Sequence, residues 1–135
     1  MVGRRDELIL LLGGGLDSTA LIPFYRERGT PLRGVHVDYG QPCVAGERRA
    51  AQAVCRHYRV PFHALDLGVS LACRGGEYRG RNALLLLAAV GLAPEPLSVA
   101  IGVHAGVPYY DTTATFLADV NRLFQAYTGQ VLRVL

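Results

Sequence analysis

The stretch that decides the fold is LILLLGGGLDST, residues 8–19: five aliphatic residues, three glycines, then Leu16, Asp17, Ser18 and Thr19. An apolar run this short and this continuous, residues 7–12 in all, reads as a strand covered on both faces, which is the signature of a parallel sheet. The glycines allow a tight turn. Ser18 and Thr19 open residues 20–28, where Ala20, Leu21, Phe24 and Tyr25 recur at helical spacing and the pattern stops at Gly29. Strand, glycine turn and helix form the first half of a βαβ unit. Pro23 inside that helix predicts a bend or a short first turn.

Working outward, the same alternation continues. Residues 33–38 have the β-branched content of a second strand, and residues 46–58 are good helix formers. Residues 62–67, introduced by Pro61, read as a third strand. A glycine- and arginine-rich loop over residues 73–81 leads to a strongly apolar helix, residues 82–92, expected to be buried. Residues 97–103 read as a fourth strand, 106–113 as a loop, 114–127 as an amphipathic helix, and 131–135 as the start of a fifth strand. The expected class is α/β: one doubly wound parallel sheet of about five strands, helices on both faces and right-handed crossovers, in a single domain over residues 1–135.

Composition narrows the function. The chain has 135 residues, half of them hydrophobic, with a net charge of +3 and a mean hydropathy of +0.22. Such a chain buries a core. All 14 basic residues are arginine, so a Walker A lysine, a kinase nucleotide lysine and a Schiff-base nucleophile are excluded. The arginines are scattered in runs of at most two without interleaved aromatics, which reads as a solvated basic surface and predicts no direct nucleic-acid partner. Residues 83–93, the longest nearly unbroken apolar stretch, are about half the roughly 20 residues a membrane-spanning helix needs. No signal-peptide pattern begins the chain, so a cytoplasmic location is expected. Cys43, Cys55 and Cys73 lack disulfide or metal-ligand spacing and read as reduced structural thiols.

In a parallel α/β sheet, ligands bind outside the carboxyl ends of the strands, near the switch in strand order. Four loops carry the polar residues at those ends: residues 13–19, 38–41, 73–82 and 102–111. In the first, glycines let the backbone approach a ligand, and exposed amides with the helix dipole attract an anion, so phosphate fits there. Ser18 and Thr19 add hydroxyl donors, and Asp17 adds a carboxylate that suits a metal-bound phosphate or caps the helix. The alternative is a plain glycine turn with Asp17 as its N-cap. Without lysine, Mg²⁺ and arginine must neutralise a polyphosphate, and Arg74, Arg79 and Arg81 are the candidates.

These residues resemble a known family. Residues 14–19, GGLDST, look like the PP-loop of the ATP pyrophosphatases, whose usual form is Ser-Gly-Gly-x-Asp-Ser. Asp38-Tyr39-Gly40-Gln41, Gly80-Arg81-Asn82, and Gly102-Val103-His104 followed by Tyr110 and Asp111 are similar, in the same order, to motifs of the 7-cyano-7-deazaguanine synthase family of queuosine-type deazapurine synthesis. The likeness covers nearly all of this chain but only the amino-terminal part of the family pattern. It departs at the first loop position, where the family has serine and this chain has Gly13, and it lacks the family's four-cysteine zinc region, so no zinc is expected.

The resemblance implies ATP-dependent activation of a carboxylate with release of pyrophosphate, then attack by ammonia. It implies ATP and Mg²⁺ as cofactors, with Gly13, Gly14, Gly15, Asp17, Ser18 and Thr19 at the β and γ phosphates and Asp17 on the metal. His36 and Val37 fall at the adenine position, where backbone contacts are expected, although His36 also reads as a satisfied core histidine. Gly102 allows close approach to the nucleotide. Asp17, Ser18 and Arg81 are the candidate catalytic residues. Asn82, His104, Tyr110 and Asp111 are the candidates to face a small carboxylate substrate, each with an alternative as loop hydrogen bonding, and Tyr109 reads as packing. The alternatives are a non-catalytic ATP- or AMP-binding module and a subunit completed by self-association or a partner.

Overall fold

The computed structural model describes residues 7–13, 16–92, 98–103 and 107–128, with the side chains of Leu16, Asp17 and Thr128 left aside. The elements run β1 (Leu8–Leu11), α1 (Leu16–Arg26), β2 (Leu32–Asp38), α2 (Val44–His57), β3 (Phe62–Asp66), α3 (Arg81–Gly91), β4 (Ser98–Ile101), a 3₁₀ turn (Tyr110–Thr112) and α4 (Ala114–Thr128). The strands form one parallel sheet in the order β3-β2-β1-β4. The described sheet therefore has four strands where about five were expected, and residues 131–135, the fifth candidate, lie outside the described residues.

The continuous apolar run of β1 serves two cores at once, because side chains alternate across a strand. Leu8, Leu10 and Leu12 join Ile22 of α1 and Ala51 and Cys55 of α2 on one face. Ile9 and Leu11 join Leu86 and Ala89 of α3 and Phe116, Val120 and Phe124 of α4 on the other. The result is three layers with β1 central and buried throughout. On the α1/α2 face Gly34 lets the helix come close: a Cβ there would lie 2.6 Å from Cys55 Sγ and 2.8 Å from Leu12 Cδ1. The α3 helix is buried along one stripe, Asn82, Leu86 and Ala89. Leu87 on its outer side is 41% exposed, so the helix is less buried than its composition suggests.

One helix start departs from the sequence reading, and one helix end closes in an unusual way. The α1 helix begins at Leu16, directly behind the glycines, so Asp17, Ser18 and Thr19 form its first turn and Pro23 falls in its interior. Its amino terminus is thereby drawn up to the sheet. The α2 helix closes with the Val60 amide on the Cys55 carbonyl at 2.8 Å and the Arg59 amide on the Arg56 carbonyl at 3.2 Å. That pair of bonds is the Schellman motif, whose C′ position favours glycine. Here it is Arg59, at φ +55°, a conformation that costs an L-residue about 1–2 kcal/mol.

Cys55 is buried and burial pushes its thiol up to about 11, from an ordinary value of 9.0. A thiol kept neutral by the fold but ionisable in the unfolded chain stabilises fully below pH 9 and loses that contribution as pH rises through about 11. Cys43 and Cys73 are exposed. A chromogenic thiol reagent at pH 8 is expected to label Cys43 and Cys73 rapidly and Cys55 only in denaturant; fast native labelling of Cys55 would contradict this burial.

Candidate functional site

The chain order β1, β2, β3 runs toward one edge of the sheet, and β4 returns to the other side of β1. The switch point therefore lies between β1 and β4, and the crevice at their carboxyl ends is the expected ligand site. Leu11 is the register partner of Ile101, so the chain segments leading into Gly13 and Gly102 leave the sheet side by side. On one face the amino terminus of α1 meets this rim. On the other, α3 must start at the same rim to return the chain to the amino end of β4, and it packs on β1 and β4. That connectivity sets Arg81 and Asn82 at the crevice.

The chain crosses from β3 to α3 through residues 67–80, a strap tied to the end of β2. The Leu67 amide donates to the Asp38 carbonyl at 3.0 Å and the Leu71 amide to the Tyr39 carbonyl at 2.9 Å, and Tyr39 and Tyr78 meet edge to face at 5.2 Å. Gly40, at φ +82°, is pressed against the strap: a Cβ there would lie 2.6 Å from Ser70 Cα. Within the strap, Arg74 and Glu77 exchange backbone hydrogen bonds at 2.9 and 3.0 Å across Gly75 and Gly76. Both glycines have positive φ, as a two-residue type I′ hairpin requires.

The turn Asp38-Tyr39-Gly40-Gln41 is held from both sides. Asp38 accepts from the Gly40 amide at 2.9 Å and from Arg48 at 3.3 Å. Gln41 accepts from the Tyr39 amide at 2.9 Å, and its Nε2 donates to the Val37 carbonyl at 3.1 Å and to Glu47 at 2.9 Å. His36 Nε2 lies 3.4 Å from the same Glu47 carboxylate, and the ring is 1% exposed. Val37 packs in the opposite core. Both side chains thus face the interior, His36 with its Nδ1 unpartnered among the described residues, which leaves main-chain groups at the end of β2 for any ligand contact. Glu47 and Arg48 had no part in the sequence reading, since nothing in helix-forming residues 46–58 announces that two of them brace a turn.

Residues far apart in sequence meet in a small cleft of about 90 Å³, lined by Gly76, Glu77, Tyr78, Arg81, Asn82, Tyr109, Asp111 and Thr112. Asn82 is buried and its Nδ2 donates to the Asp111 carbonyl at 3.0 Å, while Arg81 Nε donates to Asn82 Oδ1 at 3.4 Å. Three of the sequence candidates, Arg81, Asn82 and Asp111, are therefore brought together. Tyr110 is not: its ring packs on Phe116 and its hydroxyl donates to Asp119. That hydrogen bond and the Asp119 charge raise the phenol's pKa. The aromatic walls are instead Tyr78 and Tyr109, so Tyr109, read from the sequence as packing, lines the cleft and is exposed. Arg74 and Arg79 line a separate groove of about 280 Å³ with Ala72 and Glu77. Ser18 is buried and Thr19 half-buried in the first turn of α1. Gly14, Gly15, His104 and the Asp17 side chain lie outside the described residues, and among the described residues no group of three or more His, Cys, Asp or Glu is poised for a metal.

Asn82→Ala is expected to remove the donor from the half-buried Asp111 carbonyl, costing about 1 kcal/mol, the net worth of one such hydrogen bond, and loosening the cleft. Chemical denaturation reads this directly, and a change below about 0.5 kcal/mol, the ordinary range for surface substitutions, would show that Asn82 does not tie the two segments together.

The parallel sheet in the order β3-β2-β1-β4, with three glycines in the sequence between β1 and α1, is an α/β fold of the Rossmann-like kind, and sequence comparison makes the assignment specific. The family model described as queuosine biosynthesis protein QueC matches residues 7–75, just over half of the chain, and the chain belongs to that family, within the PP-loop superfamily. It is 28% identical over 137 aligned residues to 7-cyano-7-deazaguanine synthase 1 of Desulfitobacterium hafniense, covering 84% of this chain and 62% of that protein. To the 7-cyano-7-deazaguanine synthase of Shouchella clausii it is 29% identical over 129 residues, 96% of this chain and 49% of that protein. To that of Chlorobium chlorochromatii it is 38% identical over 52 residues, 38% of this chain and 23% of that protein. The chain thus spans less than two thirds of the length of each of these relatives. Among the described residues no helix is long and apolar enough to cross a membrane.

Proposed function

We propose that the chain activates a carboxylate with ATP, as a cytoplasmic enzyme related in chemistry to 7-cyano-7-deazaguanine synthase. The observation that carries this reading is the topology: the chain leaves β1 toward its three glycines at the switch point between β1 and β4, and α3, which opens with Arg81 and Asn82, starts from the same rim. A carboxylate oxygen of the acid attacks the α-phosphorus of ATP, the α–β bridging bond breaks, and pyrophosphate leaves with the bond's electron pair. Ammonia then adds to the acyl carbon, AMP departs, and an amide results with loss of a proton. In the deazapurine case a second ATP takes the amide oxygen away with its AMP and leaves the nitrile.

Each step builds charge on a departing phosphate, so the protein's task is electrostatic and needs no nucleophile of its own. The substrate is the magnesium complex of ATP, with Asp17 as the carboxylate for the metal. Main-chain amides of residues 13–15 and the Ser18 and Thr19 hydroxyls bind the pyrophosphate portion, and Arg81 neutralises the acid and the phosphorus it attacks. Asn82 holds the cleft in shape, Asp111 and His104 face the second substrate, and Gly102 keeps the nucleotide's path open. Incubation with MgATP, ammonia and a deazapurine carboxylate is expected to yield AMP and pyrophosphate in equal amounts, dependent on the acid. One specific feature favours a second reading, a nucleotide-binding module without turnover: Gly13 stands where the family loop has serine. Tight ATP binding with intact nucleotide after prolonged incubation would select that module over the enzyme.

A further inference from the structure

At the opposite end of the sheet from this crevice, the amino ends of β1 and β2 and the carboxyl ends of α1 and α2 surround a second cleft of about 320 Å³. It is lined by Glu7, Arg26, Pro31, Leu32, Arg33, Arg59 and Pro61. Three guanidinium groups stand against one carboxylate, a net charge of +2 among these residues. Arg33 Nε donates to Glu7 Oε1 at 3.0 Å and both side chains are largely buried, which fixes one guanidinium in the floor. Neither Arg26 nor Arg59 has a side-chain partner among the described residues.

Helix capping does not account for Arg59. The terminal carbonyls of α2 at Val54, Cys55 and Arg56 already accept backbone amides, and the position itself favours glycine. A strained left-handed arginine with an idle guanidinium is a local rule broken without local gain, and such breaches concentrate where a side chain is used. We propose that this cleft binds a phosphate-bearing dianion, gripped by the Arg26 and Arg59 forks above the Arg33–Glu7 pair. Two free planar forks match the oxygens of a phosphate, and the cleft's net charge matches that of hydrogen phosphate. The group comes either as a free phosphate or as part of a nucleic-acid backbone. With two free forks and a volume of about 320 Å³, the cleft suits a single free dianion. The site lies away from the carboxyl rim, so its ligand acts on the fold and not in the reaction.

The test is titration of the isotope-labelled full chain with inorganic phosphate at constant ionic strength, following the arginine Nε–Hε resonances. Arg26 and Arg59 are expected to shift with a common saturation curve, while Arg81 reports separately on phosphate reaching the other rim. Arg59→Gly is expected to weaken that binding about tenfold, the loss of roughly one charge-assisted hydrogen bond, and at the same time to raise Tm in phosphate-free buffer, because glycine relieves the strained turn. Weaker binding together with higher stability cannot come from misfolding. Shifts that follow ionic strength alone, or unaltered phosphate affinity in Arg59→Gly, would overturn the proposal. So would a single-stranded oligonucleotide moving these arginines when free phosphate does not.

Discussion

Gly13→Ser is expected to raise kcat/KM for AMP formation by about ten- to a hundredfold, the worth of one hydrogen bond to a charged phosphate. Position 13 has room for the change. A Cβ built there meets no atom within 4 Å, and Gly13 is absent from the glycines held at positive φ, so an L-residue fits without strain. The substitution also separates the two readings of function. An enzyme weakened by one missing donor gains turnover when the hydroxyl is supplied, whereas a binding module gains affinity for ATP and still releases no pyrophosphate. A change of less than twofold in both quantities would mean that main-chain amides alone fill this position.

Gly40→Ala is expected to be the most damaging single-methyl change at the carboxyl rim. Gly40 sits at φ +82°, where an L-residue loses about 1–2 kcal/mol. The added methyl would also press into Ser70, 2.6 Å from its Cα and 2.7 Å from its Cβ, and overpacking of that kind costs about 1–3 kcal/mol. The obstacle is backbone and cannot rotate away. The damage should spread along residues 67–80, since the Leu67 and Leu71 amides are bonded to Asp38 and Tyr39 on either side. Denaturation should register a loss of about 2–5 kcal/mol if the strap holds its place, and hydrogen exchange at Leu67 and Leu71 should accelerate. Parent-like protection at both amides would show that the strap is not anchored through this turn.

The sheet was legible because its evidence is local: an unbroken aliphatic run, a glycine turn and a change of period in residues 8–28. Helix starts were less so. Ser18 and Thr19 read as the opening of a helix over residues 20–28, yet α1 is already under way at Leu16. Arg81, Asn82 and Asp111 could be named from motifs, but their meeting depends on a hydrogen bond spanning 29 positions, and only the crossover of α3 brings them together. The choice of Tyr109 over Tyr110 as a cleft wall depends on where Asp119 and Phe116 of α4 fall, one helical turn after the segment in question. Arg59 was invisible for a different reason. The Schellman position is recognised in sequence by glycine, and here the residue that breaks the rule is the informative one.

The central claim is that main-chain amides behind β1 cradle the polyphosphate of ATP at the β1–β4 crevice. The most direct measurement is amide chemical-shift mapping of the full chain with the magnesium complex of α,β-methylene-ATP, which cannot be cleaved at the reacting bond. Saturable shifts concentrated in residues 13–19 and at Gly102 are the predicted result. No uptake at millimolar nucleotide, or shifts that spare those residues, would contradict it.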